Sequence, residues 1–236
     1  MSFFLILALG IAAGFYVQTV VGFAGSLVAL PILLFAMQLP DAIAYISVFY
    51  LFSSLFLITK EWKHIDRRMI LRLSIASVLG VILGISILRF SRPIILKRGL
   101  GVFILLYVIY MAWGKKKVRL NKTGVFGFGV LAGFFSGVFS TGGPLYVICV
   151  ENTVKDMKVF RATMIGVLGL VTLTRIPALA ISGLLNLQHL KMAMLAFPIF
   201  ILAQFLGKRT FTHMPERTFK KSLLILLCIS GLVLLF

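Results

Sequence analysis

Apolar residues fall in eight long runs, at about residues 3–38, 43–59, 70–88, 94–113, 124–150, 160–182, 190–207 and 219–236, with charged residues gathered between them. None of the runs alternates with the period of two that a strand facing water or a barrel lumen requires, and each has the length of a helix. The pattern predicts an all-α chain. The first and fifth runs differ from the rest. Gly22-Phe23-Ala24-Gly25-Ser26 interrupts one, and Ser140-Thr141-Gly142-Gly143-Pro144 the other. Backbone groups freed inside a bilayer need protein or water partners, so two such breaks in corresponding places predict a binding site at membrane depth.

Composition turns these helices into membrane helices. Of 236 residues, 61% are apolar and 13% charged, with a mean hydropathy of +1.10, too apolar a surface for a water-soluble domain. A single polytopic transmembrane domain over residues 1–236 is expected. The start, Met1-Ser2-Phe3-Phe4-Leu5, has no basic flank and reads as the first membrane segment. Cys149 and Cys228 lie in apolar runs and read as small hydrophobes.

The formal net charge of +18 would suggest nucleic acid in a soluble protein. Here 23 of the 24 Lys and Arg lie between runs or at their ends, as orientation signals and lipid-headgroup contacts do, so no nucleic-acid partner is expected. If all eight runs cross once, the two sides receive 11 and 12 basic residues, which orients nothing. If runs one and five fold back at their breaks as re-entrant hairpins, the sides receive 18 and 5, as the positive-inside rule demands. At 36 residues the first run exceeds one crossing and suits a bent pair of half-helices; the fifth, at 27, also fits a kinked span. The hairpin reading puts the 18-residue side in the cytoplasm and both termini outside.

A repeat supports two halves, about 1–118 and 119–236. An offset of 119 aligns Gly10, Gly14, Phe15 and Gly25 with Gly129, Gly133, Phe134 and Pro144, and an offset of 123 aligns Gly84, Lys97 and Arg98 with Gly207, Lys220 and Lys221. With three crossings per half, the halves run inverted, an arrangement used by secondary transporters.

The run Gly22-Phe23-Ala24-Gly25-Ser26-Leu27-Val28-Ala29-Leu30-Pro31 resembles the N-terminal signature of the sulfite exporter TauE/SafE family. Gly133-x3-Gly137-x4-Gly142-Gly143-Pro144 is similar to its mid-chain counterpart, and Ile65-Asp66-Arg67-Arg68, Phe160-Arg161-Ala162-Thr163 and Ser230-Gly231-Leu232 to further family pieces. Gln18, Ala24 and Ser140 depart from the pattern, standing where many members have glycine. The resemblance implies a bacterial-type inner-membrane carrier of small anions, often sulfur-containing ones such as sulfite or sulfonates. Seven or eight helices are usual in the family, so the hairpin count comes from the charges alone.

Candidate chemistry agrees with an anion. All six acids, Asp41, Glu61, Asp66, Glu151, Asp156 and Glu216, lie at or near run ends, as do His64, His189 and His213. Proton relays, metal sites and acid-base pairs need ionisable groups at depth, so no catalytic residue, metal or cofactor is expected. Arg175 is the exception among the cations, 14 residues beyond Arg161 and about 21 Å further along a helix. Either it snorkels to the far headgroups or it serves an anion. The breaks supply the other half of a site, because helix N-termini offer N–H groups and glycine admits a ligand close to backbone. The candidate binding residues are Gly22, Gly25, Ser26, Ser140, Thr141, Gly142, Gly143 and Arg175, with Gln18, Thr19, Thr172 and Gln204 as secondary candidates. Packing by small residues accounts for Gly10, Gly14, Gly80, Gly84 and Gly133.

No phosphate-binding loop is present, which leaves a secondary transporter as the expected function. An anion channel with the same residues is the first alternative, and a non-transporting membrane assembly component the second. Expected partners are a small anionic substrate, anionic lipid headgroups and a second copy of the chain.

Overall fold

The computed structural model describes residues 2–61, 65–91, 93–112, 120–151, 154, 156–213 and, near the C-terminus, 224, 225, 227–229, 231, 232, 234 and 235. Trp62, His64, Trp113, Glu216 and much of the last apolar run lie outside the described residues. In chain order the helices are α1 (Ser2–Val21), α2 (Gly25–Leu33), α3 (Leu39–Glu61), α4 (Arg67–Phe90), α5 (Pro93–Ala112), α6 (Lys122–Phe139), α7 (Gly143–Glu151), α8 (Met157–Ile181) and α9 (Leu187–His213). No strand occurs among the described residues, and α1, α3, α4, α8 and α9 are each long and apolar enough to cross a membrane. The protein is an all-α, multi-pass membrane protein.

Short polar residues set several helix starts. Asp66 Oδ1 accepts from the Met69 amide at 3.1 Å, Asn121 Oδ1 from Gly124 at 2.8 Å, and Asp156 Oδ1 from Lys158 and Val159 at 2.7 and 3.0 Å. Each cap satisfies an amide that the helix cannot, worth about 1 kcal/mol.

Both outsized runs break at the expected clusters, α1 from α2 and α6 from α7, and in each pair the short helix folds back on the long one. Gly14 lies so close to α2 that a Cβ there would stand 2.7 Å from the Ala29 Cβ, and one on Gly10 would stand 3.0 Å from Leu33 Cγ. The arms are uneven, which corrects the expectation of half-helix pairs. Twenty residues give α1 about 30 Å, whereas nine give α2 about 14 Å. The physical reason is that the break sits off-centre in the apolar run, 19 residues from its start and 12 from its end, so the first arm has the length of a crossing.

The first hairpin returns the chain to the end of the bundle where it began. The Phe3 ring meets Tyr45 near the start of α3 at 6.4 Å, and Phe15 meets Tyr50 at 5.4 Å, so α1 and α3 run in the same direction. At the far end of α3 the chain turns into α4, and α6 starts beside α4. The packing partners recur in matching pairs: α1 packs on α9 as α6 does on α4, α1 on α2 as α6 on α7, and α3 on α9 as α8 on α4.

The α4–α6 contact is backbone against backbone. A Cβ on Gly133 would lie 2.6 Å from the Ser77 Cα, and one on Gly84 would lie 3.0 Å from the Gly137 Cα. Small residues permit this approach, and the dispersion gained replaces the hydrophobic drive that lipid does not supply. Gly133→Val should therefore cost about 2–3 kcal/mol by overpacking, read as a lower melting temperature in detergent. An unshifted melt would mean that the two helices are free to separate.

Candidate functional site

The two breaks face one another in the core. Ser26 Oγ, in the first turn of α2, donates to the Ser140 carbonyl at 2.5 Å, and the α-carbon of Gly143 packs toward Phe23 and Ala24. The turns need unusual backbone. Gly22 has φ of 89°, Ala24 of 69° and Ser140 of 56°. The last two lie in the left-handed region without being glycine, which stores about 1 kcal/mol or more of strain at each tip.

Arg175 is only 2% exposed, and it stands six residues before the end of α8, about 9 Å along the axis. It does not snorkel; it turns inward. Its Nη1 donates to the Ser136 carbonyl at 3.1 Å and to Ser136 Oγ at 3.0 Å, and Nη2 to Thr172 Oγ1 at 3.1 Å. The guanidinium carbon lies 5.5 Å from the centre of the Tyr50 ring. All these partners are neutral, and Nε has none among the described residues. A buried cation held only by dipoles leaves its charge available to an anion.

Tyr50 links Arg175 to the first break. Its hydroxyl accepts from the Ser26 amide at 3.2 Å and lies 3.4 Å from Ser26 Oγ, so its oxygen occupies the N-terminus of α2, where the cap residue Ala24 offers no side-chain acceptor. Several other buried polar atoms at the breaks lack partners among the described residues: both amide atoms of Gln18, Ser140 Oγ and Thr141 Oγ1. Gln18 packs on Gly25, where a Cβ would stand 2.6 Å from Oε1. Buried polar groups are normally paired, and unpaired ones mark places where water or a ligand belongs.

The other candidates are absorbed into packing. Thr19 Oγ1 is shared between the Phe15 carbonyl at 2.7 Å and Gln204 Oε1 at 2.8 Å, and Gln204 Nε2 donates to Ser53 at 2.6 Å. This chain ties α1, α9 and α3 together. Thr172 holds Arg175 and its own Leu168 carbonyl at 2.7 Å. Gly22 packs against Arg161, and Gly142 against Ala132 and Tyr146.

Sequence reasoning passed over Tyr50, Ser136 and Arg161. Arg161 corrects the grouping of that residue with the interfacial loop charges. It is 4% exposed, and its Nε and Nη2 donate to the Thr19 carbonyl at 3.0 and 2.7 Å. The break after Val21 deprives that carbonyl of its helical partner, and a cation at the C-terminus of α1 also complements the helix dipole. A second unforeseen pairing joins His189 Nε2 to Asp41 Oδ1 at 3.2 Å, with Nδ1 accepting from the Asn186 amide at 3.3 Å.

A bundle with two broken helices meeting at a buried cation is the build of a multi-pass membrane transporter. The family model for sulfite exporter TauE/SafE matches residues 6–234. The chain therefore belongs to that family. It is 32% identical over 196 residues to "Probable membrane transporter protein MJ0441" of Methanocaldococcus jannaschii, spanning 75% of this chain and 73% of the relative. It is 26% identical over 207 residues to "Probable sulfite/organosulfonate exporter TauE" of Cupriavidus necator, spanning 84% and 80%. No solved structure matches the chain.

Proposed function

We propose that the chain is a secondary carrier of a small sulfur-containing anion, such as sulfite or a sulfonate, in a bacterial-type cytoplasmic membrane, and that it is not an enzyme. The observation that carries the reading is Arg175, buried with neutral partners and an unpartnered Nε beside the facing breaks. A sulfonate or sulfite group offers three acceptor oxygens, which suit the guanidinium, the α2 amides now turned to Tyr50, and the hydroxyls of Ser140 and Thr141. The exporter relative from Cupriavidus necator supports the sulfur class.

Two inverted halves, about 1–118 and 119–236, would rock about this site. Support comes from the matching pairs of packing partners and from α6 starting at the opposite end of the bundle to α1. The described acids stand at helix ends: Asp41 in the first turn of α3, Glu61 and Glu151 as last residues, Asp66 and Asp156 as caps. Proton coupling would then run through the substrate itself, and an anion leaving down the membrane potential is the simpler mode.

Reconstitution into liposomes tests this. Saturable, trans-stimulated exchange of sulfite or a sulfonate is expected. Ohmic currents far above carrier turnover would make the chain a channel, and absence of flux for sulfite, sulfate, thiosulfate and sulfonates would sink the proposal.

A further inference from the structure

Away from the breaks, a cleft of about 570 Å³ opens where α4 and α6 begin, with Asp66, Arg68, Arg72 and Asn121 around it and Ile75 and Phe126 in its wall. Arg68 and Arg72 are one turn apart, so they share a face of α4 about 6 Å apart along the axis. Both are exposed, and no carboxylate pairs with either among the described residues. The acceptors nearby are engaged locally: Asp66 Oδ1 caps α4 through the Met69 amide, and Asn121 Oδ1 caps α6 through Gly124. The cleft thus holds two guanidinium groups against one carboxylate, Asp66, whose Oδ1 is turned to the Met69 amide, and its balance is cationic.

The wall is apolar on the membrane side. Ile75 is 60% exposed and Phe126 50%, each further into its helix than the polar residues at the start. A cationic mouth at the end of a span, continuing into an apolar groove, matches an amphiphile with its charge at one end. A free anion would gain nothing from Ile75 and Phe126. We propose that this cleft is a binding site for an anionic phospholipid, its phosphate between Arg68 and Arg72 and its acyl chain against Ile75 and Phe126.

Native mass spectrometry of the full chain, titrated with phosphatidylglycerol, phosphatidylcholine or inorganic phosphate, tests the proposal. Phosphatidylglycerol should be retained over phosphatidylcholine. The double variant Arg68→Gln, Arg72→Gln should weaken it roughly thirtyfold, since each basic side chain near an anionic headgroup contributes about equally. The charge-matched pair Lys97→Gln, Arg98→Gln on α5 should retain it as the parent does. Ile75→Ser with Phe126→Ser should weaken the lipid while leaving the response to inorganic phosphate unchanged. Equal retention by the Arg68/Arg72 variant and the parent would overturn the proposal. Displacement of the lipid by inorganic phosphate at matching concentrations would also overturn it, by making the cleft a site for a free anion. A rise in melting temperature with phosphatidylglycerol, present in the parent and lost in the arginine variant, gives a second readout.

Discussion

Arg175→Gln should abolish measurable anion binding while leaving the protein folded. The guanidinium is buried beside the breaks, its bonds go to the neutral Ser136 and Thr172, and its Nε has no partner among the described residues. Removing a charge from a desolvated charged pair costs about 2–5 kcal/mol, or roughly thirtyfold to several-thousandfold in affinity. Folding should survive because the parent charge was itself expensive to bury, and a neutral glutamine leaves no unpaired cation behind. Arg175→Lys should fall between: it keeps a point charge but not the planar fork that holds Ser136 and Thr172 together. Calorimetric titration with sulfite, alongside thermal melts, separates these outcomes. Parent-like affinity in Arg175→Gln would remove the residue from the site and with it the electrostatic basis for an anion.

Several parts of this arrangement were legible because they break a strong local rule. Glycine clusters inside apolar runs conflict with an uninterrupted helix, and a charge inside one conflicts with lipid, so Gly22 to Ser26, Ser140 to Gly143 and Arg175 stood out. Ala24 and Ser140 illustrate the limit. They were visible as departures from glycine in a family pattern, yet their positive φ appears only in the backbone. Arg161 was hidden for another reason. Four residues into α8, it looks like any cation at the end of a span, and only the Thr19 carbonyl, 142 residues earlier, decides that it points inward. Tyr50 reads as an ordinary aromatic within a run until the end of α2 is brought to its hydroxyl. The Thr19–Gln204–Ser53 chain, likewise, is a property of three packed helices and of no single segment. Local patterns thus located the breaks, while the partners that close them come from distant parts of the chain.

Those partners make the second large effect predictable. Arg161→Gln should destabilise the protein by about 3 kcal/mol and depress transport together with stability. The two bonds from Arg161 to the Thr19 carbonyl are charge-assisted, and they replace the helical hydrogen bond lost at the break. Glutamine is shorter and can return at most one neutral bond, leaving a buried carbonyl under-satisfied. With α1 unpinned at its C-terminus, Gly25 and Ser26 lose their fixed position relative to Ser140. The signature differs from that of Arg175→Gln. In Arg161→Gln the binding residues remain, so a saturating anion should recover part of the lost melting temperature by mass action, whereas in Arg175→Gln it should recover none. Arg161→Lys should regain some stability through its charge at the helix C-terminus. If Arg161→Gln melts and transports like the parent, the Thr19 carbonyl is satisfied in some other way and the first tip does not depend on α8 for its position.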